Sequence, residues 1–291
     1  MYKIILILIC IFILIYLYIK YNVNTLEIAK YTIENEKIPK EFNGYNIVQI
    51  SDLHSKLFGA NNKKLLKKIN ELNPDIVVVT GDLVDGENNN YNIALDFMKE
   101  LTKLYKVYYI IGNHEQKALI KKYKDEYVGY FNELNKIDFV NLDNEKVEIK
   151  KEGSKINLYG LTVPYSCYKY LFDDKEITTI DRDFLVQKLG DLDKNQFNIL
   201  LSHTPFYFDE YEKWGADLTL CGHVHGGIIR LPFVGGLLSP DRKFFPKYDL
   251  GKYEKNNSTM IVSKGLGGSK VLIRVHCKPE IVSIKLKSNQ I

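Results

Sequence analysis

The chain has 291 residues, 45% hydrophobic and 26% charged, enough to bury a substantial core in one large domain or two small ones, and one main domain is expected. Its formal charge of +4 comes from 40 basic and 36 acidic side chains spread through the sequence, which argues against a nucleic-acid partner, where a clustered basic face is expected. Cys10, Cys167, Cys221 and Cys277 show no C-x-x-C spacing, so neither a disulfide framework nor a zinc ribbon is indicated.

From Ile4 to Ile19 every residue is aliphatic, aromatic or cysteine, with Lys3 before the run and Lys20 after it. As a helix it covers about 24 Å at 1.5 Å per residue, slightly less than a hydrocarbon core of about 30 Å. The lysines, with Tyr2, Tyr16 and Tyr18, suit the two interfaces and cover the shortfall. A cleaved signal peptide is the rival reading, but Lys20-Tyr21-Asn22-Val23-Asn24 offers no small-x-small cleavage site. Residues 1–22 are therefore expected to be an uncleaved single-pass membrane anchor, followed by a linker and first strand over 23–45 and a main domain over 46–288. Lysine counting, Lys3 against Lys20, Lys30 and Lys37, leans to a cytoplasmic main domain and leaves the orientation open.

Strand and helix patterns then alternate. Asn46 to Ser51 reads as a buried strand, and Leu65, Leu66, Ile69 and Leu72 give helical spacing over Asn62 to Leu72. Asp75 to Thr80 is a second strand after the turn at Pro74, Ile93 to Leu104 a helix, and Lys106 to Ile111 a third strand. One charged helix is expected from about Lys117 to Leu134. This order is that of an α/β protein with a mainly parallel sheet covered by helices. Lys146 to Lys150 and Ile156 to Tyr159, joined by Glu152-Gly153-Ser154, read as a hairpin, and helical spacing returns at Phe184 to Leu189. Phe197 to Leu201 and Ala216 to Cys221 are further strands. The tail from Met260 to Leu286 is β-rich, with Gly265-Leu266-Gly267-Gly268 as its expected turn. Two sheets packed face to face with helices outside fit this order.

The strand ends carry the chemistry. They deliver Asp52-Leu53-His54, Gly81-Asp82, Gly112-Asn113-His114-Glu115, Ser202-His203 and Gly222-His223-Val224-His225, which hold five of the six histidines. In open α/β sheets ligands bind outside the carboxyl ends of strands, and glycines there let backbone approach an ion or phosphate. Two divalent cations roughly 3.5 to 4 Å apart need a bridging carboxylate, neutral imidazoles and open positions for water and substrate. Imidazole with carboxylate suits manganese, iron, zinc or nickel better than calcium or magnesium. A lone histidine at a strand end is more often structural, but five in this setting point to a two-metal hydrolytic site. His276 matches no motif and is read as structural, Cys221 as a buried apolar residue, and Lys63-Lys64 and Lys67-Lys68 as solvated faces.

In these five motifs, in this order, the sequence resembles the calcineurin-like metallophosphoesterases from about Pro39 to Leu286. The stretches Gly226 to Pro232 and Lys264 to Gly267, with Pro279-Glu280-Ile281, resemble its membrane-anchored phosphodiesterase branch. That branch includes proteins compared with UDP-2,3-diacylglucosamine diphosphatases. The resemblance implies a four-layer αββα sandwich with the dinuclear site between the sheets. It further implies Asp52, His54 and His225 on one metal, Asn113, His203 and His223 on the other, and Asp82 bridging. His114 would be the non-ligand histidine near the leaving group, with Asp85 hydrogen-bonding and orienting it. The expected reaction is in-line attack on phosphorus by a hydroxide that the two cations generate, with His114 stabilising or protonating the departing oxygen. Glu115 where aspartate is common, and Val224 and Ile228 at positions often polar, bear on substrate preference. Gly86-Glu87 after Asp85 lacks an arginine seen in phosphoprotein phosphatases, which disfavours that role. A phosphodiester or pyrophosphate in a small molecule or lipid is the expected substrate; a nuclease and a non-catalytic metal-binding scaffold are the alternatives.

Overall fold

The computed structural model describes residues 2–121, 123–168, 178–227, 229–231, 233–239, 244–268 and 273–290. The chain opens with helix α1 (Tyr2–Asn24) and strand β1 (Glu27–Asn35), then β2 (Asn46–Ile50), α2 (Lys63–Asn70), β3 (Ile76–Thr80), α3 (Asn92–Thr102) and β4 (Val107–Ile110). Short α4 (Asn113–Ala118), α5 (Lys124–Leu134) and β5 (Val140–Asn141) complete the first half. The second half runs β6 (Glu145–Lys151), β7 (Ser154–Leu161), α6 (Arg182–Leu189), β8 (Asn198–Ser202), α7 (Phe208–Trp214) and β9 (Leu218–Cys221). It closes with β10 (Arg230–Leu231), β11 (Gly235–Gly236), β12 (Gly251–Lys255), β13 (Ser258–Val262) and β14 (Glu280–Ser288).

One six-stranded sheet has the order β1-β14-β2-β3-β4-β5 and the other β12-β13-β9-β8-β7-β6. Alternate residues of each strand serve different layers. Val48, Val77 and Val107 pack under α2, α3 and α5 with Leu65, Phe97 and Tyr130. Their neighbours Ile47, Val78 and Tyr108 face the second sheet, against Leu158, Ile199 and Leu220. Tyr159, Leu200 and Cys221 on the far side of that sheet meet Leu185 of α6 and Tyr211 and Trp214 of α7. The result is a four-layer αββα sandwich. Strands buried on both faces lack the alternation of half-exposed ones, which is why they read only as apolar runs.

Two expectations need correction. The single helix over Lys117 to Leu134 is two helices: α4 starts at Asn113, where Glu115 reaches back to the Gly112 amide (2.9 Å), and ends at Ala118, and α5 begins at Lys124. The stretch from Gly265 is no hairpin turn: the chain leaves the second sheet at Val262 and enters the first at Glu280, laying Gly265 and Gly267 against Asp52 and Leu53 on the way. The 23–45 segment contains β1, which pairs in parallel with β14 along its whole length. α1 projects with its apolar residues exposed and is long and apolar enough to cross a membrane, a property that a signal sequence shares.

Candidate metal centre

The parallel strands β2, β3 and β4 end side by side, and so do β8 and β9 of the other sheet. Their carboxyl ends deliver the five motifs to one place. Asp52, His54 and His225 form one buried cluster, and Asp82, His203 and His223 a second, each with ligand atoms within 4.8 Å of one another. Asp82 Oδ2 lies 3.1 Å from His203 Nε2 and 3.7 Å from His54 Nε2, so it faces both clusters. Asp52 Oδ1 lies 3.7 Å from His225 Nε2 and 3.9 Å from both His54 Nε2 and His203 Nε2. A third grouping of His54, Asp82 and His114 satisfies the same distance limit, so proximity alone does not separate ligands from the proposed acid.

Asn113 Oδ1 and both ring nitrogens of His54 are buried with no hydrogen-bond partner, and Asp82 Oδ2 and His203 Nε2 face only each other, at 3.1 Å. Orphaned buried acceptors cost about 1–3 kcal/mol each unless something satisfies them, and this donor set fits two divalent cations. The remaining atoms are tied down. His203 Nδ1 donates to the Thr80 carbonyl (2.7 Å), which leaves its Nε2 lone pair for an ion. Asp82 Oδ1 accepts from the His114 amide (2.8 Å), while Asp52 accepts from Ser51 Oγ (2.6 Å) and the His223 amide (3.1 Å). The His114 ring stands at 85° to that of His54, centroids 4.6 Å apart. Its Nδ1 donates to the backbone carbonyl of Asp85, with the carboxylate Oδ1 at 3.5 Å. The orienting bond thus goes to main chain, and Asp85 Oδ2 accepts from Asn88 instead (2.9 Å).

The loops adopt backbone that L-residues usually avoid. Asp52, His54, Asp82, His223 and His225 all have positive φ, between 48° and 70°, a conformation costing roughly 1–2 kcal/mol per residue. Such strain persists where the surroundings over-determine it. Glycine supplies the space: a Cβ on Gly112 would sit 2.2 Å from Asp82 Oδ1, and one on Gly222 1.9 Å from Ser51 Oγ. These two glycines are required by close approach, not by a turn.

Burial sets the charge. It pushes His54, His223 and His225 well below the usual histidine range, keeping them neutral as ligands must be. It also pushes the Asp52 carboxyl up to about 6. Burial opposes a charge on His203 too, but Asp82 overcomes it and raises that ring to about 10.

Of the groups that support these loops, sequence reasoning singled out only Glu115. Glu115, fully buried, accepts from the amides of Asp82 (2.9 Å), Leu83 (2.6 Å), Val84 (3.3 Å) and Gly112 (2.9 Å), clamping two ligand loops together. The Gly112-x-x-Glu115 spacing was the available signal. Arg274 spends its guanidinium on the carbonyls of Lys264 (2.9 Å), Gly265 (3.2 Å), Gly267 and Cys277 (3.3 Å), holding the glycine stretch against Asp52. Tyr168 and Phe206 flank the His223 ring at 5.1 and 5.8 Å; nothing in their local sequence marks them. Ile228 and Pro232 lie outside the described residues.

Residues 45–227 match the model of the calcineurin-like phosphoesterase family. The chain is 30% identical over 273 residues to the uncharacterized metallophosphoesterase YkuE of Bacillus subtilis, covering 90% of this chain and 86% of that one. It is 27% identical over 271 residues to a Danio rerio protein named transmembrane protein with metallophosphoesterase domain, covering 90% of this chain and 57% of that one. It is 25% identical over 299 residues to the UDP-2,3-diacylglucosamine pyrophosphatase LpxG of Chlamydia muridarum, covering 87% and 88%.

Proposed function

The chain belongs to the calcineurin-like phosphoesterase family, and from that membership we propose that it is a membrane-anchored phosphodiesterase or pyrophosphatase with two divalent cations. Asp52, His54 and His225 hold one ion, Asn113, His203 and His223 the other, and Asp82 bridges. The observation that carries this reading is the convergence of Asp52, His54 and His225, and of Asp82, His203 and His223, in two buried clusters, with Asp82 Oδ2 between His54 and His203. Manganese, iron, zinc and nickel all suit these ligands. When bound, such ions acidify a water and neutralise phosphoryl oxygens.

The protein's own part is positioning. Asp82 and Asp52 concentrate negative charge where cations gather, and the tautomer set by Thr80 aims His203 inward. His114, anchored through Nδ1 to the Asp85 carbonyl, presents Nε2 to the leaving oxygen and holds or donates a proton there. α1 supports the anchor: it is exposed and apolar, with lysines at both ends, and the zebrafish relative's name contains the word transmembrane. The name of the chlamydial relative favours a pyrophosphate-linked lipid precursor as substrate. Retention of His114 beside a full ligand set argues against a bare scaffold.

Full-length protein in detergent, assayed for bound metal and for hydrolysis of chromogenic monoester, chromogenic diester and UDP-2,3-diacylglucosamine, tests this. Metal-dependent turnover favouring diester or pyrophosphate is expected. Preference for the monoester would overturn the assignment.

A further inference from the structure

α1 meets the domain at the metal-ligand edge. β1 runs parallel to β14, and β14 runs antiparallel to β2. The amino end of β1, just after α1, therefore lies beside the carboxyl ends of β2 and β3 that deliver Asp52 and Asp82. The helix exit is fastened there. Lys56, two residues past His54, donates to the Val23 carbonyl and to that of Leu266 (3.2 Å). Higher up, the Tyr18 hydroxyl is 3.0 Å from His276 Nδ1, and Lys278 sits over the Tyr21 ring at 5.1 Å. Tyr18 is six residues before Asn24, so the domain climbs about 9 Å along α1.

The part that climbs ends in exposed apolar side chains. Ile229 bridges to Val275, next to His276, and the Arg230 amide donates to the Val275 carbonyl (3.0 Å). From there β10 and β11 form an arm that leaves Leu231, Phe233 and Val234 exposed, Phe233 completely so. Leu238 bridges to Phe244, which brings exposed Phe244 and Phe245 to the same arm. A cavity of about 740 Å³ lies between Leu231, Phe233, Lys247 and His276, the last of which meets Tyr18 of α1. The base of the arm reaches the metal loops, for Cys277 Sγ donates to the His225 carbonyl (3.1 Å).

Five large apolar side chains exposed together mark a surface that something covers. Continuity with α1 says what. The apolar run of α1 falls several ångströms short of a bilayer core of about 30 Å, and the arm adds apolar surface at the level of Tyr18, where the run ends. Exposed Lys20 and Lys247 and half-buried Lys278 surround it with positive charge suited to anionic headgroups.

We propose that the arm formed by residues 229–231 and 233–238, together with Phe244 and Phe245, enters the lipid headgroup and upper acyl region beside α1. It seats the metal-ligand edge on the bilayer, so that the substrate is a phosphoester carried by a membrane lipid. This rests on α1 being a retained anchor and deepens that reading by naming where the substrate resides.

The test reconstitutes the full chain in phosphatidylcholine–phosphatidylglycerol vesicles containing a phosphatidylcholine with brominated acyl chains, which quench nearby indole. Phe233→Trp reports on the arm and Tyr16→Trp on the helix, with the parent chain, whose one tryptophan is the buried Trp214, as background. Loss of fluorescence beyond the parent is expected in both. Quenching at position 16 without quenching at 233 leaves the anchor and overturns the arm, as would follow if it docked a protein. Quenching at neither overturns both, and quenching at 233 alone keeps the arm on lipid while removing the span. A second measurement compares a long-chain chromogenic phosphodiester embedded in the vesicles with a short-chain soluble one. The double variant Phe233→Ser with Val234→Ser should lower the embedded-to-soluble turnover ratio; an unchanged ratio would sink the lipid-borne substrate.

Discussion

The two sheets contribute to the metal centre in different ways. Loops of the first sheet supply both carboxylates, the amide, His54 and the non-ligand histidine, and they are cross-braced: the Asp52 amide donates to Gly81 (3.0 Å), the His54 amide to Asp82 (3.0 Å) and the Ser55 amide to Leu83 (2.8 Å), with Glu115 clamping the third loop. Loops of the second sheet supply only imidazoles and lean on the first. The His223 amide rests on Asp52, His203 on the Thr80 carbonyl, and the Cys221 carbonyl on Gln49 Nε2 (2.9 Å). The carboxylates and the bracing come from one side, and the other adds imidazoles alone. Damage to the first sheet's loops should therefore spread, and damage to the second's should stay local.

The sharpest way to break this contrast is to compare Asp82→Ala with His223→Ala by elemental analysis. Asp82→Ala should lose both ions and all measurable turnover, whereas His223→Ala should keep the ion held by Asp52, His54 and His225. Loss of both ions from His223→Ala would erase the asymmetry. His114→Ala, which removes a side chain from a first-sheet loop without removing a ligand, should retain both ions and lose about 10² to 10⁴ in rate. A metal content as low as that of Asp82→Ala would make His114 a ligand.

Glu115→Ala tests the bracing itself. It strips a buried carboxylate from four amides, a loss of roughly 3–5 kcal/mol by analogy with breaking one side of a buried charged network. Thermal denaturation should show a melting temperature lower by about 2–4 °C for each kcal/mol lost. A melting curve unchanged from the parent would mean the loops are held by something else.

The smallest expected effect is a pH dependence. With His203 raised to about 10 by Asp82, the metal-free protein carries that proton at neutral pH, and an arriving cation must displace it. If one proton leaves, apparent metal affinity should rise about tenfold per pH unit up to about pH 10. The sign for metal-free stability is the opposite. A histidine raised above an unfolded value of about 6.5 contributes fully below that pH, and the contribution is lost as pH rises through about 10. Calorimetric titration of metal across pH, with chemical denaturation of the apo-protein alongside, measures both. Affinity independent of pH would show that His203 holds no proton to release.

The candidate ligands were legible because metal chemistry needs particular residue types at strand ends, and Asp52, His54, Asp82, Asn113, His203, His223 and His225 each stand in a local pattern of that kind. The strands were legible as apolar runs, and the hairpin of β6 and β7 by its Glu152-Gly153 turn. Which face of each strand meets helices and which meets the other sheet was not, since Ile47 and Val48 are equally apolar and both fully buried. The early start of α4 at Asn113 was missed because the Glu115 carboxylate that anchors it also binds the Asp82 amide, a contact between segments far apart in the chain.

Sequence alone determined what can be coded locally: an apolar N-terminal run, alternating elements, and carboxylates and imidazoles at strand ends. Tertiary structure decided what depends on contacts between distant segments. It alone brought Asp52 beside His225, laid the Gly265 stretch over Asp52 under Arg274, and put the exit of α1 at the metal edge through the pairing of β1 with β14. Strand order and loop convergence arise from long-range packing, in which each partner carries only half of the information.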